Sequence, residues 1–288
     1  MAIIYALSSA IFGGMQPVLL KKSATRALPT IITFLKSGTS FFVLLIFVMF
    51  YMPSWYAYIT PKTLMLVSLC SFIGPIVAWY FYVRAMKSLD ITIVHPLVNS
   101  YPAISILLDL IFFGIVPKFI ALLGFVLIVI GLFYMRHSDK KRRTGERHAL
   151  LFALITAVLW GINTFLFKIV LFEIPPIVMT LLRAFFAMLF LLIFNLVLFK
   201  NGIIKEIKKV ILQEVILAGI AGDFLSMFFF FLAIKHGMLY IVLPLSATSP
   251  FMSAVYAHIF LKEDIDTLRI SGIVFIVLGG ILVGLGNL

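Results

Sequence analysis

The sequence is short of charge, and shorter still of acids. Only 12% of its 288 residues are Asp, Glu, Lys or Arg, while 63% are apolar. A soluble domain of this length needs more charge than that to cover its surface, which excludes a water-soluble globule. Acids number 11 against 23 basic residues, for a net charge of +12. The single cysteine, Cys70, falls inside an apolar block, so no internal disulfide can form and the redox compartment is unconstrained. Catalytic signatures are also missing: there is no phosphate loop, no histidine pair at metal-ligand spacing and no nucleophile elbow. The sequence is therefore read as not an enzyme, with no cofactor and no metal.

What is present is apolar sequence in long blocks. They cover about 2–20, 30–51, 63–84, 89–113, 118–135, 148–170, 174–199, 211–234, 238–261 and 267–287, each near the roughly 20 residues a spanning helix needs. Transmembrane strands would alternate polar and apolar residues, and these blocks do not. The expected fold class is an all-α integral membrane protein of about ten transmembrane helices. No signal peptide is expected at the start, since the first basic residues, Lys21 and Lys22, follow the first apolar block instead of preceding it.

Shifted by about 147 residues, the sequence aligns with itself. Gly14, Gln16 and Lys21 meet Gly161, Asn163 and Lys168; Pro29 and Lys36 meet Pro176 and Arg183. With one residue of slippage Gly74 meets Gly222, Pro96 and Pro102 meet Pro244 and Pro250, and Gly124 and Gly131 meet Gly272 and Gly279. Apolar matches mean little in so hydrophobic a chain, but two prolines six apart falling on two prolines six apart are specific. The expected units are residues 1–135 and 148–288, each of five helices, joined by a basic linker at 136–147. Five is odd, so the second unit enters the membrane from the opposite side and the repeats are inverted, with a shared cavity between them.

The basic residues have a side. Connections after odd-numbered spans carry most of them, including the linker, whereas those after even-numbered spans hold only Lys62, Lys118, Lys168 and Lys235. The positive-inside rule then puts the odd connections in the cytoplasm and both termini outside, in the plasma (inner) membrane of a prokaryote. Positive charge concentrated in the connections points away from nucleic acid; membrane lipids are the expected partner, with the linker as an orienting loop or an anionic-lipid contact.

Polar residues at membrane depth are costly and so face a bundle interior or a watery cavity. Lys36 and Arg183 occupy matching places, where they either snorkel to the interface or attract an anionic group. Asp223 lies deep in the eighth span and Asp109 in the fourth; pairing with Arg183 or Lys36 is one option for them, a substrate ammonium or a coupling proton or cation another. Gln16 and Asn163 each follow a glycine by two residues, which allows a close neighbour or ligand. His95, Asn99 and Tyr101 surround the Pro96/Pro102 pair, and Ser246, Thr248 and Ser249 the Pro244/Pro250 pair. Each pair marks an irregular stretch near mid-membrane, the kind of feature that locates a transporter's binding site. Trp79 and Trp160 are the aromatic candidates for stacking on a substrate. The glycine-spaced fifth and tenth spans read as a packing seam, with monomer and homodimer both open.

In their order these pieces resemble the EamA-type branch of the drug/metabolite transporter superfamily: Gly14/Gln16 and Trp160-Gly161/Asn163 in the first helix of each unit, Lys36 and Arg183 in the second, and Pro244 through Pro250 to Glu263 followed by Gly272 and Gly279. The first unit departs from the pattern, with Ile115 where Glu263 stands in the second and Asp109 earlier in the helix. The resemblance implies a secondary transporter that moves a small metabolite (amino-acid-like, sugar-derived or drug-like) by alternating access. The alternatives are a passive channel or facilitator of the same fold and, third, a membrane-embedded enzyme.

Overall fold

The computed structural model describes residues 1–113, 118–138, 146–199, 202–236, 245–246, 248–263 and 265–285. Pro244, Ile115 and most of the linker lie outside this set, as do the side chains of Pro102 and Asp109. Among the described residues regular structure is helical throughout, with no strand.

Helices α1 (Ala2–Arg26), α2 (Pro29–Tyr51) and α3 (Pro61–Ser88) lead the first half, followed by α4 (Ile91–Val98), α5 (Tyr101–Phe113) and α6 (Phe119–Ser138). The second half comprises α7 (Glu146–Glu173), α8 (Pro176–Phe199), the short α9 (Ile203–Ile207), α10 (Leu212–His236), α11 (Ser249–Leu261) and α12 (Thr267–Leu285). Six of these (α1, α2, α3, α7, α8 and α10) are long and apolar enough to cross a membrane. Proline starts α2, α3 and α8, where its missing N–H is unneeded and its fixed φ already suits a helix. A reciprocal Thr60/Thr63 capping box reinforces the start of α3.

The block at 89–113 is not one helix. It divides into α4 and α5 at residues 99–100, between Pro96 and Pro102. Pro102 is the second residue of α5 and Pro250 the second of α11; proline fits the first turn but cannot continue a helix arriving from upstream. Asn99 Nδ2 bonds the His95 carbonyl at 2.8 Å and Ser100 Oγ the Leu97 carbonyl at 2.7 Å, so side chains satisfy the backbone acceptors at the break. Further irregularities have no proline-pair signal: Ala257–Leu261 at the end of α11 is wound as π-helix, and so are two stretches nearer the centre. These are Phe72–Ala78 within α3 and Gly219–Ser226 within α10.

The two halves contact each other reciprocally. A Cβ on Gly222 would lie 2.0 Å from Gln16, and one on Gly74 would lie 2.2 Å from Asn163. The aligned glycines of α10 and α3 thus each receive the aligned amide of the opposite half. A Cβ on Gly14 would meet Ser249 O and Met252 Cβ, and one on Gly161 would meet Tyr101 O and Ile104 Cβ, the aligned positions. Gly219 lies against the Lys36 carbonyl, while Ser71 Oγ bonds the Arg183 carbonyl at 3.2 Å. In the seam between α6 and α12, a Cβ on Gly131 would lie 2.7 Å from Gly272 O, and one on Gly279 2.6 Å from Gly124 O. Bare glycine surfaces are what let these backbones come so close.

Candidate functional site

A cavity of about 150 Å³ lies at the centre of the bundle, walled by α1, α3, α4, α7, α8, α10 and α11 together with the break between α4 and α5. Gln16, Trp79, His95, Asn99, Tyr101, Trp160, Asn163, Arg183 and Asp223 all line it. Residues scattered over most of the sequence meet because the irregular segments converge here. The π-stretches supply Gly74, Pro75, Gly222, Asp223 and Ser226, and the start of α11 supplies Ser249. π-helical turns commonly occur at functional sites, since they rotate side chains out of helical register.

Lys36 is the sequence candidate that the cavity excludes. It is fully buried behind the wall, with Nζ 2.8 Å from Asp223 Oδ1 and 3.4 Å from the centre of the Trp79 ring. Gln16 Nε2 bonds the same carboxylate oxygen at 3.2 Å and the Ala218 carbonyl at 3.1 Å; Ser37 Oγ bonds Asp223 Oδ2 at 3.2 Å. Of the options open for Asp223 in the sequence, the structure contains the ion pair with Lys36. Arg183 bonds the Asp223 backbone carbonyl through one terminal nitrogen at 3.2 Å instead of the carboxylate. Its Nε is buried without a partner.

His95 has one ring nitrogen 2.7 Å from the Tyr82 hydroxyl and the other 3.0 Å from Ser249 Oγ. A neutral imidazole, with one donor and one acceptor, satisfies both. One wall is aromatic: Trp79 and Trp160 rings lie 6.0 Å apart, Tyr82 meets Trp160 edge-on at 5.3 Å, and Tyr101 meets Trp160 edge-on at 6.4 Å. Sequence reasoning missed Ser9, Thr164, Phe167 and Ser226, which also line the cavity. Ser9 and Ser226 bond each other across it, hydroxyl to hydroxyl at 3.4 Å and Ser226 Oγ to the Ser9 carbonyl at 2.9 Å. Small hydroxyl residues occur throughout apolar helices and carry no signal of their own.

The lining runs from mid-bundle toward the end bearing the even connections, where Ser9, Phe167 and Phe230 lie. The opposite end is packed shut by buried residues of α1 to α4, including Leu20, Ile31, Met86 and Ile91. Polar contacts reinforce it. Glu263 accepts from the backbone N–H groups of Ile91 (3.0 Å) and Thr92 (3.1 Å) and from Thr92 Oγ1 (3.0 Å), capping the start of α4 from the other half of the chain. Arg269 bonds Asp90 Oδ2 at 3.0 Å and Thr92 Oγ1 at 3.2 Å, and Lys21 Nζ bonds the carbonyls of Met86 (2.7 Å) and Leu89. Lys262 turns the chain into Glu263 with φ 55°, the sole left-handed non-glycine residue among those described. Among the described residues no cluster of His, Cys, Asp and Glu could hold a metal.

Comparison with known proteins agrees with this architecture. The chain is similar to an uncharacterized transporter of Archaeoglobus fulgidus, 26% identical over 203 residues, which are 70% of this chain and 69% of that protein. It is also similar to an uncharacterized protein of Methanocaldococcus jannaschii, 32% identical over 139 residues, covering 48% of this chain and 98% of the relative. A crystal structure shares its fold with a TM-score of 0.68 at 14% identity, covering 98% of this chain and 95% of the other. The model of the EamA-like transporter family matches residues 1–136 and 147–285. This multi-pass, all-helical membrane protein therefore belongs to the EamA-like transporter family, within the drug/metabolite transporter superfamily.

Proposed function

We propose that the protein is a secondary transporter that carries a small metabolite by alternating access, rocking its two five-helix units about the central cavity. The units are residues 1–135 and 148–288, inverted with respect to each other. The odd connections face the cytoplasm, both termini lie outside, and the protein sits in the plasma membrane of a prokaryote. A near-complete match to a relative half the size, in M. jannaschii, supports one unit as a building block.

The observation that carries this reading is a central cavity walled by both halves, whose polar lining stops short of the end with the basic connections. A channel would be continuous. Here the end with the basic connections is sealed by apolar packing and by the Glu263, Arg269 and Asp90 contacts, whereas the lining continues toward the other end. The repeat positions matching Glu263, Asp90, Thr92 and Arg269 are Ile115, Met238, Tyr240 and Ala121, none of which can form an ion pair. This buried polar seal therefore has no counterpart at the matching repeat positions, although the exposed Lys62–Glu173 pair joins the halves at the other end, and it favours the state closed to the cytoplasm. Opening inward breaks the Glu263 bonds to α4, each worth about 1.5–3 kcal/mol for a charged acceptor, so occupied substrate or an ion gradient must offset them.

The test is counterflow in proteoliposomes, with a panel of labelled amino acids, hydroxy acids, sugars and amines. An alternating-access carrier accumulates a labelled solute transiently when the same unlabelled solute is preloaded. Uptake of any panel member that is indifferent to preloading would instead identify a channel or facilitator.

A further inference from the structure

We infer that the central cavity selects small organic carboxylates that also carry a hydrogen-bond donor, with Arg183 as the anchor for the carboxylate. The inference rests on the transporter reading and adds the substrate class.

Charge is the first step. Of the charged groups in the cavity wall and directly behind it, Asp223 is already satisfied. One oxygen accepts from Lys36 and Gln16, the other from Ser37. It is not left over for a substrate ammonium. Arg183 is only 4% exposed and uses a single donor, spent on the Asp223 carbonyl, and its Nε has no partner. A guanidinium has five N–H donors in a fixed fork that matches a carboxylate. Lys36 and Asp223 cancel, so the described groups leave Arg183 as the uncompensated cation beside the cavity. A buried cation without a counter-ion is costly, and an anionic ligand supplies what is missing.

Two further unpartnered atoms belong to residues of the same lining and can take a second group of the ligand. Asn163 Oδ1 and Ser246 Oγ are both buried without a hydrogen bond, and both residues line the same cavity. Asn163 Oδ1 is an acceptor, so it takes an N–H or O–H. The same wall contains Trp79, Tyr101 and Trp160, which suits the carbon skeleton of the ligand. At about 150 Å³ the cavity is well below the roughly 300–1,000 Å³ of sites for drug-sized ligands, which favours a solute of a few carbons.

The experiment is thermal unfolding of the purified full chain in detergent at fixed ionic strength, titrated with L-serine, L-lactate, serinamide, glycerol, chloride or inorganic phosphate. Ligands that bind the folded state raise its melting point. L-serine and L-lactate should raise it in a saturable way, and the other four should not. Arg183→Gln should abolish the shift and Arg183→Lys should retain part of it. Stabilisation by serinamide or glycerol equal to that by L-serine would overturn the inference, as would saturation by phosphate or chloride alone. So would the absence of any carboxylate effect. The wild-type panel decides even if the Arg183 variants fail to fold. Binding of carboxylates without counterflow would sink the transport reading alone; counterflow of serinamide or glycerol would sink only the carboxylate site.

Discussion

At the scale of single residues, the chemistry of the bundle turns on three charges that the sequence displays and the fold sorts into different roles. Lys36 and Arg183 occupy aligned positions, yet Lys36 is locked to Asp223 beneath the Trp79 ring while Arg183 bonds the Asp223 carbonyl and leaves its Nε without a partner. The position matching Asp223 is Pro75, so the acid that holds Lys36 across the two halves has no counterpart for Arg183. Breaking a buried pair by removing one partner leaves an uncompensated charge, a loss of about 3–5 kcal/mol. Asp223→Asn should therefore lower the unfolding temperature sharply, as should Lys36→Met. The double variant Lys36→Met/Asp223→Asn should recover much of the loss, because it removes both charges together. Strictly additive losses in a double-mutant cycle would show that the pair is not coupled. Membrane depth alone marked these residues as informative. That Lys36 lies behind the wall and not in it was not legible, since the direction of a long side chain is set by its neighbours.

Among elements, hydropathy located the six long helices of the described residues with ends off by at most six residues, and the paired prolines located the break between α4 and α5. The π-stretches of α3 and α10 were not legible, because they depend on a partner from the other half: Gln16 occupies the space beside Gly222, and Asn163 that beside Gly74. Only the alignment of Gly74 with Gly222 hinted at them. The seam between α6 and α12 was legible as glycine spacing, and its geometry yields a sharp contrast. A Cβ at Gly131 would lie 2.6 Å from Ile276 Cγ1 and 2.7 Å from Gly272 O, whereas Gly202 has nothing within 4 Å and a φ of −98° that any residue adopts. Gly131→Ala should cost about 1–3 kcal/mol through overpacking. Gly202→Ala should be neutral or stabilise by up to about 1 kcal/mol by restricting the unfolded chain. Thermal unfolding of the two variants side by side checks this, and equal behaviour would contradict the account of the seam.

At the scale of the whole molecule, the sequence aligns with itself in matched prolines and glycines, and in the structure aligned glycines such as Gly74 and Gly222 receive aligned residues of the opposite half. Such an arrangement has two related ways to close, one at each end of the cavity. The polar seal around Glu263 belongs to one of these ends, and the alignment of Ile115 with Glu263 shows that the sequence does not repeat it in the first half. The central claim is that the cavity is reached from one side at a time. Met227 lines it, so a Met227→Cys reporter in a Cys70→Ser background can be labelled with a membrane-impermeant thiol reagent from either face of oriented vesicles. Labelling should predominate from the side opposite the basic connections. Glu263→Gln, which weakens the seal, should decrease labelling from that side and increase it from the other. A thiol labelled freely from both sides at once, or whose labelling from the two sides rises together in Glu263→Gln, would contradict alternating access.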